Sequence, residues 1–337
     1  MERRAGPAPA ARPVALAAFA VRRLGAAALT IFLVVTITFG LAHLAPGEPM
    51  LADAERLHAD PARVSRVRTE FGLDRPLAAQ YAMYVGNALR GNLGESFTMR
   101  RPVTAVLMER LPRTALLAGA SLLVAFVLGI ALAAVQASRA GSWEDGALSA
   151  VTLVFYSTPT FWLGLVLLVV FGQWLGWLPV GGMTTAVEHA RMSAMGQMMD
   201  VGRHLVLPAI TLALVQTAEI ARYQRGALVD ALGSEFVRAA RARGLSAWAV
   251  LVRHALRSAL APLVTLAGMS VPALLAGSVL VESVFGWPGM GRLTYDAIVT
   301  RDYNLILAAG LVSGALVALG SLAADVAAHA LDPRSTQ

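Results

Sequence analysis

Long apolar runs alternate with short polar stretches along the chain, and six of them approach or exceed the roughly 20 residues a helix needs to cross a bilayer. They are Leu24 to Ala45, Thr114 to Ala137, Ala147 to Gly172, Leu205 to Tyr223, Leu260 to Ser283 and Leu305 to His329. The pattern predicts an all-α polytopic membrane protein with six transmembrane helices. It divides the chain into a tail (1–23), a first helix (24–45), a long polar connection (46–113), a core of five helices (114–330) interrupted by a polar loop (224–259), and a short tail (331–337). Arg22 and Arg23 before the first run resemble the start of a signal peptide. The run is longer than a signal core of about 7 to 15 residues, however, and Ala42-His-Leu-Ala45 is a poor cleavage site, so a retained helix is expected.

Two spans carry backbone breakers. Pro159 interrupts the third within Thr158-Pro159-Thr160-Phe161-Trp162, and Pro272 interrupts the fifth within Met269-Ser270-Val-Pro272. A proline removes one helix hydrogen bond and kinks the helix, while nearby hydroxyls re-satisfy the freed carbonyls. Such kinks either shape a substrate path or serve packing alone. Thr158, Pro159, Phe161, Met269, Ser270 and Pro272 are candidates for that path by position. Gly310, Ser313, Gly314 and Gly320 in the last span mark close helix approach.

The polar loop is unusual. Glu235-Phe-Val-Arg238-Ala239-Ala240-Arg241-Ala-Arg243-Gly244-Leu245 is rich in strong helix formers, Ser234 stands at the N-cap and Glu235 in the first turn. Gly244 is placed to end that helix, Leu245 to close its apolar end, and Ser246 to start a second one. The expected product is a small helical knob. Its arginines suit either acidic groups on a protein partner or anionic lipid.

Composition and charge sharpen this picture. Hydrophobic residues make up 57% of the chain and charged residues 15%, outside the balance of a soluble domain. All 28 basic residues are arginine. A phosphate-binding P-loop requires a lysine, so any ATP chemistry belongs to another chain. The absence of cysteine removes thiolate chemistry, and the six histidines include no H-E-x-x-H spacing. Fourteen arginines in the tails and alternate short loops face four in the remaining short loops. Both termini and the polar loop are therefore expected in the cytoplasm, and the 46–113 connection outside. Trp174, Trp177, Trp287 and Tyr303 then fall at external span ends, as an aromatic belt would place them. The turn cluster Gly286-Trp287-Pro288-Gly289-Met290-Gly291-Arg292 reads as a structural hairpin or as a rim for a docking partner, with Glu282, Trp287 and Arg292 as candidates.

Glu219, Glu282 and Asp325 lie toward span ends, and the first three spans carry no acid at their centres. An ion-gradient-driven secondary transporter, the alternative reading, calls for acids or broken helices near the midplane. No Ser/His or paired-Asp set lies at membrane depth to support an intramembrane hydrolase.

Further motifs occur in a recognisable order. Pro46-Gly47 precedes Phe71-Gly72-Leu73-Asp74-Arg75-Pro76-Leu77 with Gln80-Tyr81, then Arg90-Gly91-Asn92-Leu93-Gly94-Glu95-Ser96 and Arg110-Leu111-Pro112-Arg113-Thr114. Later come Leu175-Gly176-Trp177-Leu178-Pro179, Val281 to Gly291, Arg301-Asp302-Tyr303 and Leu331-Asp332-Pro333-Arg334. From Arg22 to Arg334 the chain resembles the permease subunits of peptide-type ATP-binding-cassette importers, a group that includes dipeptide, oligopeptide, nickel and glutathione systems. The resemblance implies a type I importer permease fold with a cytoplasmic coupling helix, the EAA motif. Glu235, Arg238, Ala239, Ala240, Arg241, Arg243, Gly244, Leu245 and His254 are the implied ATPase-coupling residues. Arg238 stands where many importers have glutamate, and Arg257 where many have proline.

The resemblance further implies a non-enzymatic subunit of the bacterial inner membrane that binds no cofactor itself. ATP and Mg would sit on two partner ATPase subunits. A second homologous permease subunit, an external solute-binding protein and membrane lipid would be the other partners, with no nucleic acid. Short peptides or a related small solute would be the cargo.

Overall fold

The computed structural model describes residues 11–44, 69 and 74–331, with side chains placed outside 11–20, 261–262, 264–265, 269, 271–277 and 324–331. The elements are α1 (Ala11–Leu44), α2 (Leu77–Leu89), α3 (Val103–Ser138), α4 (Trp143–Ser157) and α5 (Thr160–Leu167), which continues as a π-helical stretch Leu168–Trp174. They are followed by α6 (Ala194–Gly233), α7 (Glu235–Ala242) and a composite α8 built from Ala247–Ala249, a π-helical stretch Val250–Ala255 and Leu256–Ala259. The chain then forms α9 (Ala261–Val284), α10 (Met290–Thr300) and α11 (Tyr303–Leu331).

Each predicted apolar run coincides with these helices over its described residues, with the third broken at Thr158 and Pro159 and the fifth entering its helix one residue later. Val21–Leu44, α3, α6 and Tyr303–Ala323 are each long and apolar enough to cross a membrane. The fifth run coincides with the 24-residue α9. The third departs from a simple kink, because α4 and the α5 segment meet at 102°. Thr158, ahead of the proline, and Pro159 itself are both extended, with ψ of 128° and 127°. Proline disfavours helical geometry in the residue before it, so two successive residues leave the helix and the axis turns sharply.

The second span also differs from its expected boundary. α3 begins at Val103, eleven residues before Thr114, and runs through Pro112. Val103, Val106 and Leu107 bury an apolar face against Met290, Leu293, Ala297, Leu305 and Ala308, while Glu109 lies on another side, paired with Arg101 and Arg113 at 3.2 Å. Those interspersed charges gave the segment the look of a loop. α2 forms a further helix within the expected connection. Its Tyr81 hydroxyl meets Thr36 Oγ1 of α1 at 2.6 Å, and its Gln80 Oε1 lies 3.2 Å from His43 Nε2. Pro46, Gly47, Phe71 to Leu73 and the tails 1–10 and 332–337 lie outside the described residues.

Two helix pairs rely on small residues. Ser121, Ala125, Gly129, Ala133 and Ala137 repeat every fourth position on α3, and all are buried. That spacing puts them on one helix face, where α6 approaches closely. A Cβ on Gly129 would lie 2.6 Å from Ile220 Cγ2 and 3.3 Å from the Thr217 carbonyl oxygen. On α11, Gly310 faces Thr38 and Gly314 faces Val34 of α1, so these two glycines serve contact within the chain.

Candidate coupling site

The knob forms from residues 234–259 at the end of α6. Ser234 adopts the extended N-cap geometry, with φ −74° and ψ 157°, but its hydroxyl donates to the Ala231 carbonyl at 2.5 Å and does not cap α7. Gly244 ends α7 with φ +83°, and its N–H donates to the Arg241 carbonyl at 2.9 Å. Ser246 caps α8, accepting from the Ala249 N–H at 3.3 Å. The expected helix, glycine stop and second helix are all present.

α7 has two distinct faces. Val237 and Ala240 are fully buried against Val250, with half-buried Leu232 and Leu245 closing the contact. Glu235, Arg238, Ala239, Arg241, Arg243 and Gly244 are exposed, and His254 is half-buried in α8. Ala240 therefore packs the knob onto its own chain. This corrects its expected place on a partner-facing surface, because it shares the i, i+3 face of Val237. Arg238 pairs with Glu235 across one turn at 3.0 Å, an exposed ion pair of the kind that adds little stability. Arg241 lies exposed in the last turn of α7 and Arg243 at its C-cap.

Three apolar residues of this surface carry no signal in the arginine-alanine pattern. Phe236 is 46% exposed, Val252 42% and Trp248 71%, so the free face combines cations with exposed apolar groups. A large indole left in solvent points to a contact surface. The sequence clue was present, since Phe236 and Trp248 are aromatics within an otherwise polar loop.

The substrate-path candidates divide. Thr158, Pro159 and Phe161 occupy the α4–α5 break, with Thr158 Oγ1 donating to the Val154 carbonyl at 2.7 Å and Phe161 44% exposed. Ser270 is buried, and its hydroxyl donates to the Leu266 carbonyl of its own helix at 2.8 Å. That removes it from an open path. Met269 and Pro272 fall in α9, outside the residues whose side chains are described.

The external candidates form a core where a rim was expected. Glu282 and Trp287 are completely buried, which corrects the idea of direct partner contact; Arg292 remains partly exposed. Glu282 accepts from Thr114 Oγ1 at 2.8 Å and from the Arg292 N–H at 2.9 Å, while Thr114 Oγ1 accepts from the Met290 N–H at 2.7 Å. A Cβ on Gly289 would collide with the Glu282 carboxylate, and one on Gly291 would lie 2.6 Å from the Val279 Cα, which accounts for both glycines. Trp287 Nε1 donates to the Arg113 carbonyl at 3.1 Å. A buried charge needs this degree of satisfaction to be tolerated. Tyr303 is likewise buried, against Ala42 and Phe97, leaving Trp174 and Trp177 as the exposed pair of the expected aromatic belt.

A second buried acid explains two motifs that are distant in sequence. Asp302 Oδ2 accepts from Ser96 Oγ at 2.6 Å and from the Thr98 N–H and Oγ1 at 3.0 Å, and Asp302 Oδ1 accepts from the Leu305 N–H at 3.2 Å. Asn304 Nδ2 donates to the Glu95 carbonyl at 2.8 Å. The Gly94-Glu95-Ser96 and Arg301-Asp302-Tyr303 segments thus hold one another.

Comparison with known proteins agrees with this architecture. Residues 16–118 match the N-terminal membrane component of binding-protein-dependent transport systems. The di/tripeptide transport system permease protein DppB of Pseudomonas aeruginosa is 38% identical over 94% of this chain and 98% of its own length. The oligopeptide transport system permease protein AppB of Bacillus subtilis is 36% identical over 95% and 99%. Among solved structures, the inward-facing MetNI methionine ABC transporter aligns with a TM-score of 0.51 and 21% identity, over 68% of this chain and 97% of that one, a likeness in fold alone. With residues 125–337 matching the "binding-protein-dependent transport system inner membrane component", the chain belongs to that family of permease subunits.

Proposed function

We propose that this chain forms half of the membrane pathway of an ATP-driven importer for short peptides or a closely related small solute. ATP and Mg are bound and hydrolysed on two separate ATPase subunits, and a second homologous permease subunit completes the pathway. An external binding protein delivers the solute. The assembly sits in the bacterial inner membrane with both termini and the knob in the cytoplasm.

One observation carries the mechanical part of this reading. α6 is a continuous 40-residue helix that leads into a knob packed on its own chain by Val237 and Ala240 and free on its other face. Such a surface can receive force from a partner and pass it directly into a membrane helix. The arginines offer bidentate contacts to partner carboxylates, and Phe236 and Trp248 offer apolar anchors. The peptide assignment rests on the names of the relatives.

The test is uptake into proteoliposomes containing this chain, its permease partner and the ATPase subunits. Accumulation of a labelled di- or tripeptide should require internal ATP, Mg and the binding protein. Uptake driven by an ion gradient without ATP would overturn the reading.

A further inference from the structure

The third span begins with an arrangement that the knob alone does not explain. Asp145, at the start of α4, is 5% exposed at its side chain, and Arg225 of α6 grips it with both arms of the guanidinium. Arg225 Nε donates to Asp145 Oδ1 at 2.8 Å, and a terminal nitrogen donates to Oδ2 at 2.6 Å. The Gly141 N–H donates to the same Oδ2 at 3.0 Å, made possible by a positive φ of 82° at Gly141. Ser142 Oγ accepts from the Asp145 N–H, fixing the first turn of α4. The tight α3–α4 turn is thereby fastened to α6.

A second arginine on α6 holds the far end of α4. The Arg222 guanidinium lies over the Tyr156 ring at 4.5 Å from its centre. Asp145 and Tyr156 are about 16 Å apart along α4, yet the arginines that meet them are separated by only about 4.5 Å along α6. The two arginines therefore reach apart to hold both ends of α4 from adjacent turns of α6. Gln136 Nε2 of α3 donates to Ser149 Oγ midway along it at 3.0 Å. Beyond Tyr156 the chain reaches Thr158 and Pro159, turns through 102°, and continues as α5. α5 packs on the external half of the molecule, where Gly164 sits under Phe285 and Thr211.

We infer that the Asp145–Arg225 pair is a positioning clamp through which displacement of the knob is carried along α4 to the break at Thr158 and Pro159. The proposal rests on the importer reading above. Arg225 lies eight residues before the end of α6, so α7 cannot move α6 without moving this clamp. A rigid, two-armed contact transmits displacement in a way that a flexible exposed pair does not. The pair acts through other residues and touches no solute.

The experiment uses the complete reconstituted importer. Asp145→Asn should leave ATPase association intact and lower solute uptake per ATP hydrolysed by about tenfold, the scale of one lost charge-assisted hydrogen bond. Arg225→Lys, which keeps the charge but loses the fork, should give a smaller loss and serves if the first variant folds poorly. This chain contains no cysteine, so Asp145→Cys with Arg225→Cys introduces its only two thiols. Bridging them with a short rigid thiol reagent should restore uptake per ATP while a long flexible one should not, whereas a merely structural role would be served by either tie. Unchanged coupling in both single variants, or failure of the bridge to restore it, overturns the clamp. Gradient-driven uptake without ATP in the unaltered complex overturns instead the importer reading beneath it.

Discussion

At Gly244 the constraint is backbone geometry and not space. Its φ is +83°, yet a Cβ built there meets no atom within 4 Å. Gly244→Asn should be tolerated, since asparagine enters the left-handed region readily, whereas Gly244→Val should cost roughly 1–2 kcal/mol locally and fray the end of α7. Copurification of the ATPase subunit and uptake per ATP should both fall in the valine variant and persist in the asparagine one. Gly244 was legible in the sequence because a helix stop is a local signal. Ala240 and Ala239 were not separable there: adjacent, identical residues point to opposite surroundings, and only the packing of Val237 and Val250 tells them apart. Glu282 was legible as an acid near a span end and Asp302 as part of a motif, but neither as a hub, since Thr114 and Ser96, which donate to them, stand 168 and 206 residues away.

Among the elements, long apolar runs were read correctly as helices because a bilayer imposes one solution on an apolar backbone. The readings that needed revision involve mixed faces. The first turns of α3 interleave Glu109, Arg110 and Arg113 with the buried Val103, Val106 and Leu107, and Arg110 reaches the Pro288 carbonyl from the packed side at 3.3 Å, so average polarity concealed a helix. The small-residue stripe on α3 supplies a direct test. Gly129→Ala should destabilise the α3–α6 pair by about 1–3 kcal/mol, because the added methyl overlaps Ile220. Gly119→Ala on the same helix meets no atom within 4 Å and should be neutral or slightly stabilising. Thermal unfolding of the two variants in detergent compares them directly. The α4–α5 break was visible as Pro159, but its angle was not; that depends on Thr158 also leaving the helix.

For the whole molecule, the orientation proposed from the arginine asymmetry can be tested by single-cysteine labelling against a cysteine-free background. A thiol at Trp248→Cys, in the knob, should react with a membrane-impermeant reagent only after the cytoplasmic face is opened. One at Val187→Cys, 70% exposed in the opposite loop, should react from outside in intact cells. The reverse pattern would invert the topology. The face opposite the knob is held by three buried acids: Glu282 joins α3, α9 and α10, Asp302 joins the 94–98 segment to α11, and Asp200 on α6 holds the Thr185 and His189 loop, with His189 Nδ1 at 2.8 Å.

That last contact gives the length of α6 a further meaning. Forty residues at 1.5 Å each make a rod of about 60 Å, twice the hydrocarbon thickness it crosses. A tilt of about 5° about its middle displaces either end by roughly 2.6 Å, comparable to a hydrogen-bond length, while the central turns barely shift against α3. In the importer proposed above, the rod would work as a balance beam, with the Asp200-held loop at one end and the arginine-bearing helix at the other. Whatever loads the outer end is weighed at the inner one, and by thermodynamic reciprocity the inner load is felt outside to the same degree.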